Sequence, residues 1–288
     1  MKQSIFFATI ILSIGFVSCT SQKNNSTIKK VKKMEMSNKE KVISLLKSIE
    51  TGAQEPINYI NPNKYVQHNL GVADGLAGFG ALLQQLPPNS AKVNTVRAFQ
   101  DGDFVFTHTD YNFFGPKIGF DVFRFENNKI VEHWDNLQEK PTSLNPSNHT
   151  MTDGTTEVID LEKTAINKTL VKNFVEDILV YGKMDKLQDY FDDDKYIQHN
   201  PKIADGLSGL GKALEYMASQ GVIMKYDKVH HVLGEGNFVL VMSEGSFANN
   251  HTSFYDLFRV ENGKIAEHWD VIETIAAKES WKNENGKF

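Results

Sequence analysis

The stretch KYVQHNLGVADGLAGFG at residues 64–80 returns as KYIQHNPKIADGLSGLG at residues 195–211, with 11 of 17 positions identical. FDVFRFENNKIVEHWD at residues 120–135 likewise returns as YDLFRVENGKIAEHWD at residues 255–270, with 11 of 16 positions identical. The two blocks occur twice in the same order, and their period is longer than a solenoid unit but suits a small domain. The chain is therefore predicted to be a tandem duplication of one domain.

Domain boundaries follow from the repeat and from composition. We expect the first domain at residues 37–140 and the second at residues 160–288. The segment between them, residues 141–159, begins as a run rich in Pro, Ser, Asn, Thr and Gly, which is typical of a linker.

Each copy is predicted to begin with helices and to continue as a sheet. Ser37 and Glu40 form a capping box, and apolar residues then recur at helical spacing. A shorter helix should follow each QHN block, capped by Asp74 or Asp205 and stopped in the first copy by Pro87 and Pro88. The predicted strands are 104–106, 120–125 and 130–134 in the first copy, and 238–242, 254–260 and 265–272 in the second. This order indicates an α+β fold in which a curved antiparallel sheet covers the helices and leaves a cavity between the layers.

The ENNK and ENGK segments are predicted to be hairpin turns, and two strand registers remain open. A three-residue loop with Asn128 or Gly263 in the left-handed conformation places Asp121 opposite His133 and Asp256 opposite His268. A two-residue loop instead places Asp256 opposite Trp269. We favour the three-residue loop, in which Asp135 and Asp270 lie one step further on the same face.

The strongest chemical signal is a carboxylate on an apolar strand face. Asp121 alternates in phase with Phe123 and Phe125, and Asp256 alternates in phase with Phe254 and Phe258. Burial disfavours a charged carboxylate and raises its pKa toward that of a general base. A structural alternative is that this Asp pairs with Arg124, Arg259 or the neighbouring His, or faces solvent.

Other polar and aromatic residues of the repeat are candidates for ligand contacts. His133 and Asp135 alternate on one strand and share a face, as do His268 and Asp270. We assign ligand-binding roles to residues of the two blocks, with a bracing role for the histidines and a core position for the tryptophans as the structural alternatives: His68, His199, Tyr65, Tyr196, Trp134 and Trp269.

Cofactor sites are not predicted. The chain has one cysteine and no HExxH spacing, so we expect no metal site. GLAGFG at residues 75–80 lacks both the GxGxxG order and a preceding hydrophobic strand, so no nucleotide site is expected.

The N-terminus resembles a bacterial lipoprotein signal. Lys2 is followed by an apolar run at residues 5–17, too short to span a bilayer, and then by Cys19, the one cysteine of the chain. We therefore predict a signal peptide at residues 1–18, lipidation of Cys19 and a flexible, lysine-containing tether at residues 19–36. The expected location is the cell envelope, on the periplasmic or outer-membrane side of a bacterial membrane. A net charge of -5 argues against a nucleic-acid partner.

The YxQHN…ADG block followed by FRxENxKIxEHWD resembles the SnoaL-like proteins of the nuclear transport factor 2-like superfamily, which include polyketide cyclases and predicted aldol-condensation enzymes. The resemblance covers residues 37–140 and 160–275. It implies two tandem cone-shaped domains that pair through their sheets as an internal pseudo-dimer, or that form a homodimer. It also favours the three-residue loop register.

By this resemblance, the acid/base carboxylates are Asp135 and Asp270, their partners on the preceding strand are Asp121 and Asp256, and His133 or His268 stabilises an enolate oxygen. The implied activity is cofactor-independent aldol condensation, cyclisation or isomerisation of a small carbonyl compound. The alternative is a non-catalytic envelope protein that binds a small apolar ligand.

Overall fold

The computed structural model describes Met1, residues 35–87 and residues 89–288. Cys19, the predicted signal peptide after Met1, and the tether up to residue 34 lie outside the described residues. Among the helices of the described part, none combines the length and apolar character needed to cross a bilayer.

The first copy opens with helix α1 (Asn38–Thr51) at the predicted capping box. Ser37 Oγ accepts a hydrogen bond from Glu40 N, and the Glu40 carboxylate accepts one from Ser37 N at 2.7 Å. Helix α1 ends at Gly52, whose φ of 70° is left-handed, and helix α2 spans Gly75–Gln84. The strands are β1 (Val66–Gln67), β2 (Lys92–Asp101), β3 (Phe104–Asn112), β4 (Pro116–Glu126) and β5 (Lys129–Glu139).

The second copy repeats this order with local differences. Helix α3 (Thr164–Phe174) continues into a π-helical turn at Val175–Val180, and helix α4 spans Gly206–Ser219. The strands are β6 (Ile197–Gln198), β7 (Met224–Glu235), β8 (Phe238–Phe247), β9 (Asn250–Glu261) and β10 (Lys264–Thr274).

Each copy forms one five-stranded sheet, in the orders β1-β5-β4-β3-β2 and β6-β10-β9-β8-β7. The long strands are antiparallel, whereas the short β1 and β6 run parallel to β5 and β10. Each copy has four long strands. The sequence predicted the last three of them in each copy but missed the first, which is β2 or β7. Both missed strands contain β-bulges, at Thr95/Arg97 in β2 and at two places in β7, and a bulge interrupts the alternation by which a strand is recognised.

The prediction that Asp74 and Asp205 cap α2 and α4 is wrong at the level of the side chain. Both residues occupy the N-cap position, but neither carboxylate accepts a capping hydrogen bond. Asp74 Oδ1 instead accepts from Gln67 N at 3.0 Å, and Asp205 Oδ1 accepts from Gln198 N at 2.9 Å. These carboxylates fix the short parallel strands, and α2 ends at Gln84, before Pro87 is reached.

Both predicted hairpin registers are wrong. Each turn has two residues with positive φ, 47° and 68° at Asn127 and Asn128, and 51° and 74° at Asn262 and Gly263. One extra residue then bulges from each final strand, so Asp121 lies opposite Asp135 and Asp256 lies opposite Asp270. The bulge restores the alternation that a two-residue turn alone would have inverted. Asp121 and His133 therefore share a face, as do Asp256 and His268, as expected. The cause is a two-residue turn followed by a bulge and not a three-residue loop.

Apolar packing occurs on both sides of each sheet. One cluster in each copy fills the space between its helices and the inner face of its sheet. A third cluster joins the outer faces of the two sheets and contains Phe120 and Trp134 from the first copy and Tyr255 and Trp269 from the second. Asn136, buried in this contact, donates to the carbonyl oxygens of Ser253 at 3.0 Å and Val271 at 2.8 Å.

The connecting residues 141–159 contain no regular helix or strand. They nevertheless pack on the second copy, where Asn145 and Met151 are buried.

Candidate active sites

The first copy encloses a cavity of about 390 Å³ between its helices and the inner face of its sheet. Most of its wall is apolar, and polar side chains gather at one end. The polar residues of the wall are Tyr65, Gln67, Asn69, Gln85, Tyr111, Lys117, Asp121, His133 and Asp135.

Two carboxylates meet at this polar end. Asp121 on β4 and Asp135 on β5 are direct cross-strand partners, and both are buried. Two carboxylates so close together in an apolar setting do not both ionise readily, because each charge opposes the other. The pair therefore tends to hold a proton.

Asp135 is anchored on one oxygen and open on the other. Its Oδ2 accepts a 2.6 Å hydrogen bond from Asn69 Nδ2. Its Oδ1 is buried and accepts no hydrogen bond from the described residues. A carboxylate oxygen in this condition is available to take a proton from a bound molecule.

Asp121 belongs to a chain of hydrogen bonds. Tyr111 donates to Asp121 Oδ2 at 2.7 Å, and His133 Nε2 lies 3.2 Å from Asp121 Oδ1. Gln67 Oε1 accepts a hydrogen bond from Asn69 N and also lies 3.0 Å from His133 Nδ1. Because an amide oxygen can only accept, Nδ1 of His133 must be the donor. The remaining ring nitrogen, Nε2, and Asp121 Oδ1 therefore share one proton between them.

The second copy has the same constellation. Asn200 Nδ2 donates to Asp270 Oδ2 at 2.6 Å, and Asp270 Oδ1 accepts no hydrogen bond from any described residue. His268 Nε2 lies 3.0 Å from Asp256 Oδ1, and His268 Nδ1 lies 3.0 Å from Gln198 Oε1.

The tyrosine of each site comes from a different strand. Tyr111 on β3 has Val93 of β2 as its cross-strand partner. In the second copy the equivalent pair is Gly245 on β8 and Tyr226 on β7, and Tyr226 places its hydroxyl 3.2 Å from Asp256 Oδ2. A Cβ at Gly245 would lie 2.0 Å from a backbone oxygen, so no side chain fits there. The two tyrosines thus come from different strands of the repeated sheet, but each contacts the equivalent Asp.

The carboxylate with the raised pKa is a different member of the triad in each copy, Asp121 in the first and Asp270 in the second. Burial raises the pKa of Asp121, and the charge of Asp135 raises it further, against the lowering effects of His133 and Tyr111. In the second copy burial raises the pKa of Asp270, and Asp256 adds to that rise. Burial also raises the pKa of Tyr111 and Tyr226 well above the ordinary tyrosine value, so both remain hydroxyl donors.

His68, His199, Trp134 and Trp269, which were predicted to contact a ligand, do not line the cavity described above. These side chains lie on the outer face of each sheet, and the histidine stacks on the tryptophan at 4.8 Å in the first copy and 4.7 Å in the second. Both nitrogens of His68 are engaged, with Gly286 O at 2.9 Å and Glu132 Oε1 at 3.1 Å. The histidines therefore brace the structure between the copies, which was the structural alternative.

Tyr65 lines the cavity of the first copy, and its contact with a ligand stays a prediction. Its counterpart Tyr196 is buried, and its hydroxyl accepts a 3.2 Å hydrogen bond from Gln198 Nε2. Arg124 and Arg259 do not neutralise the pocket carboxylates, because they pair with Glu132 and Glu267 instead.

The two Asp–His–Asp triads could also hold a cation. In each triad one ligand atom per residue lies within 4.8 Å of the others: Asp121, His133 and Asp135, or Asp256, His268 and Asp270. The 3.2 Å and 3.0 Å His–Asp distances fit one shared proton equally well. That the protein uses no metal stays a prediction.

Sequence reasoning missed Gln67, Asn69 and Tyr111 with their counterparts Gln198, Asn200 and Tyr226. The QHN signal was present in both copies, and strand alternation alone places Gln and Asn on one face and His on the other. The tyrosines gave no such signal, because they occupy different positions in the two copies.

Comparison with known proteins identifies the second copy. Residues 171–268 match the family model of the SnoaL-like domain. The second copy is therefore a SnoaL-like domain of the nuclear transport factor 2-like fold, and the first copy repeats its motifs and strand order. No curated protein matches the chain.

Solved structures similar to the chain each align with about one copy. An NTF2-like protein of unknown function from Cytophaga hutchinsonii is 14% identical, with 37% of this chain and 94% of that chain covered and a TM-score of 0.32. A candidate polyketide cyclase from Bacillus cereus is 20% identical, with coverages of 36% and 79% and a TM-score of 0.31. A candidate ketosteroid isomerase from Kribbella flavida is 12% identical, with coverages of 40% and 83% and a TM-score of 0.33.

Proposed function

We propose that the protein is a cofactor-independent acid/base enzyme that acts on a small carbonyl compound. The observation that carries this proposal is the buried Oδ1 of Asp135, which accepts no hydrogen bond from the described residues and lies at the polar end of an apolar cavity, beside Asp121, whose pKa is raised by burial. A pocket that only encloses an apolar ligand gains nothing from an unsatisfied buried carboxylate.

In the proposed reaction, Asp135 removes a proton from the carbon next to the carbonyl group. The electron pair of that C–H bond forms a C=C bond, and the π pair of the carbonyl group moves to its oxygen, which gives an enolate. The proton shared by Asp121 and His133 can then be donated to that oxygen. Tyr111 holds Asp121 in place by donating a hydrogen bond to its other oxygen, Oδ2. Aldol condensation, ring closure and isomerisation all begin with this step. In the second copy, Asp270, Asp256 and His268 take the same roles.

Proton exchange tests this proposal without knowledge of the natural substrate. Fragment 36–288 is incubated with a panel of small ketones and aldehydes in D₂O, and deuterium uptake next to the carbonyl is followed by NMR. We expect uptake above the solvent rate, and its loss in the Asp135→Asn/Asp270→Asn double variant. Asp103→Asn, at an exposed turn, is the matched control and keeps full uptake. Uptake that persists in the double variant would rule out these carboxylates as bases.

The alternative is a non-catalytic binding protein. The cavity of about 390 Å³ and its mostly apolar wall favour this function if no exchange is found. Carboxyl pKa values near 4 in both pockets, together with saturable binding of an apolar carbonyl compound, would support it.

The proposal also places the protein in the cell envelope, anchored by a lipid on Cys19. Its support is in the sequence: Lys2, the apolar run at residues 5–17, and then Ser18 followed by the single cysteine, Cys19. Expression of Cys19→Ser in a bacterial host should move the protein from the membrane fraction to the soluble fraction. Unchanged partitioning would contradict lipidation.

A further inference from the structure

The connecting segment brings two potential metal ligands to a histidine of the second copy. His149 and Asp153 belong to this segment, residues 141–159, and His199 directly follows β6. One nitrogen or oxygen atom from each of these three side chains lies within 4.8 Å of the other two. His199 is buried, His149 is half-buried and Asp153 is exposed, so the cluster is open to solvent on one side. Its position on the outer face of the sheet, where His199 stacks on Trp269, separates it from the triad on the inner face.

Both histidines turn the same ring nitrogen toward Asp153. His199 Nδ1 lies 2.8 Å from Asp153 Oδ1, and His149 Nδ1 lies 3.6 Å from Asp153 Oδ2. A tetrahedral zinc ion with ligands at about 2.0–2.2 Å holds the ligand atoms about 3.3–3.6 Å apart. The His149–Asp153 pair already has this spacing. The His199–Asp153 pair would open by about half an ångström to reach it, a movement that is available to an exposed carboxylate.

Each of the two histidines is held from its far side by a carboxylate. His149 Nε2 lies 3.1 Å from Asp205 Oδ2, and His199 Nε2 lies 2.8 Å from Glu267 Oε1. A carboxylate that accepts a hydrogen bond from Nε2 keeps a proton on that nitrogen and assigns Nδ1 to the metal ion. Zinc-binding histidines generally have such a partner, which fixes the orientation of the ring. The pairing of both histidines is therefore an observation in favour of a metal site that is independent of the cluster itself.

The charges around the cluster also favour a cation. Three carboxylates belong to the cluster or hold its histidines: Asp153, Asp205 and Glu267. Arg259 pairs with Glu267, and Arg97 donates to the backbone oxygen of Asp153 at 2.6 Å. Among the described residues, neither Asp153 nor Asp205 has a lysine or an arginine as an ion-pair partner. A divalent cation between the two histidines would balance this negative charge.

The loop that carries Asp153 follows the contact between His199 and Glu267 closely. Gly154 has a φ of 86°, and a Cβ at this position would lie 2.1 Å from Glu267 Oε1 and 2.9 Å from His199 Nε2. The loop backbone therefore packs directly on this contact, where only glycine fits. Thr150 N donates to Asp153 Oδ1 at 3.1 Å, which holds the carboxylate beside His199.

We infer that His149, Asp153 and His199 bind a zinc ion that fastens the connecting segment to the second copy. Asp205 and Glu267 orient the two histidines. Two imidazole nitrogens and one carboxylate oxygen are a donor set that zinc accepts, and a water molecule completes four-coordination. The acid/base reaction proposed above uses none of these residues, so the two proposals are independent. Spacing along the chain does not reveal the site, because its ligands come from two distant segments.

The equivalent place in the first copy has a histidine without the other two ligands. His68 has a matching carboxylate, with Glu132 Oε1 at 3.1 Å from Nε2, and its Nδ1 lies 2.9 Å from Gly286 O. The segment that contains Gly286, residues 275–288, has neither histidine nor aspartate. We therefore expect this kind of site in the second copy alone, and His68 serves as an internal control.

The test is Zn²⁺ binding to the intact, untagged protein after treatment with EDTA. The imidazole signals of His149 and His199 in ¹H–¹⁵N NMR should shift together and saturate at one equivalent of Zn²⁺, while those of His68 stay in place. His149→Gln and Asp153→Asn should each weaken Zn²⁺ binding by about tenfold or more. Neither side chain is buried, so both variants are expected to fold. His251→Gln, which removes an exposed histidine beside Glu244, is the matched control and should keep the wild-type affinity.

Thermal unfolding gives a second readout. Zn²⁺ should raise the unfolding midpoint of the wild type but not that of His149→Gln, because an ion that binds the folded state stabilises it. Mg²⁺, which prefers oxygen ligands, should not have this effect. Zn²⁺ shifts confined to His133 or His268 would place the ion in the Asp–His–Asp triads and overturn the inference. Unmoved signals of His149 and His199, or equal Zn²⁺ affinity in wild type and His149→Gln, would overturn it as well.

Discussion

Asp270 links the stability of the molecule to pH. Because burial raises the pKa of Asp270, the folded state holds this proton at pH values where the unfolded state has released it. The wild type therefore loses stability as pH rises from about 4 through the folded pKa, by about 1.4 kcal/mol for each unit of the shift. In Asp270→Asn this loss should disappear. Urea unfolding from pH 3.5 to 8 measures it, with the exposed Asp189→Asn as the control. Parallel curves for Asp270→Asn and wild type would contradict the prediction.

Tyr111 and Tyr226 each hydrogen-bond to a buried aspartate, whereas the hydroxyl of Tyr255 has no hydrogen-bond partner among the described residues. Tyr111→Phe removes the 2.7 Å hydrogen bond to Asp121, so we expect a loss of about 1–2 kcal/mol and a further rise of the pKa of Asp121. Tyr226→Phe removes the corresponding hydrogen bond to Asp256 in the second copy and should also lower stability. Tyr255 is the control, since its buried hydroxyl has no hydrogen-bond partner among the described residues. Tyr255→Phe should therefore leave stability unchanged or higher. Equal losses in all three variants, by thermal unfolding, would refute this distinction.

At the scale of single elements, the hairpin turn of the second copy depends on one left-handed residue. Gly263 has a φ of 74° and open space where a Cβ would be, so Gly263→Ala is penalised only through the backbone. We expect a loss of about 1 kcal/mol. Gly211 lies inside helix α4 with equally open space, and Gly211→Ala should gain about 0.5–1 kcal/mol. Denaturant unfolding of the two variants compares them directly. A change of the same sign in both would contradict the backbone argument.

The same hairpin shows how far sequence predicts an element. The blocks ending in EHWD correctly indicated two hairpins in which Asp121 and His133 share a face. The register could not be deduced, because the bulge that sets it involves residues with no unusual side chain, such as Val131. Strand alternation does separate Gln67 and Asn69 from His68, so the faces of these three residues can be predicted from the sequence.

At the scale of the whole molecule, the missed features depend on contacts between distant segments. Tyr226, whose hydroxyl contacts Asp256, lies opposite Gly245, where the backbone of Lys225 comes too close for a side chain. Lys287 Nζ lies 3.8 Å from Asp135 Oδ1 only because the C-terminal tail, residues 275–288, crosses to the first copy. Neither relation appears as a motif, since each is made by residues far apart in the chain and different in the two copies.

The segment after each sheet hydrogen-bonds to the other copy: Asn283 Nδ2 of the C-terminal tail donates to Asn69 O and Val72 O, and Asn145 Nδ2 of the connecting segment donates to Asn200 O and Ile203 O. We therefore expect that the copies do not fold separately. A fragment of residues 36–156 lacks the C-terminal tail that holds its own turn after β1, and a fragment of residues 157–288 lacks the connecting segment that holds the turn after β6. Each fragment also exposes the outer sheet face that carries Trp134 or Trp269, and large apolar faces promote association. We expect neither fragment alone to unfold cooperatively as a monomer, and a refolded mixture to form a 1:1 complex. Light scattering after size exclusion, with urea unfolding followed by tryptophan fluorescence, tests both expectations, and refolded 36–288 is the control. Two stable monomeric fragments would show that the tails and the shared apolar contact are dispensable for folding.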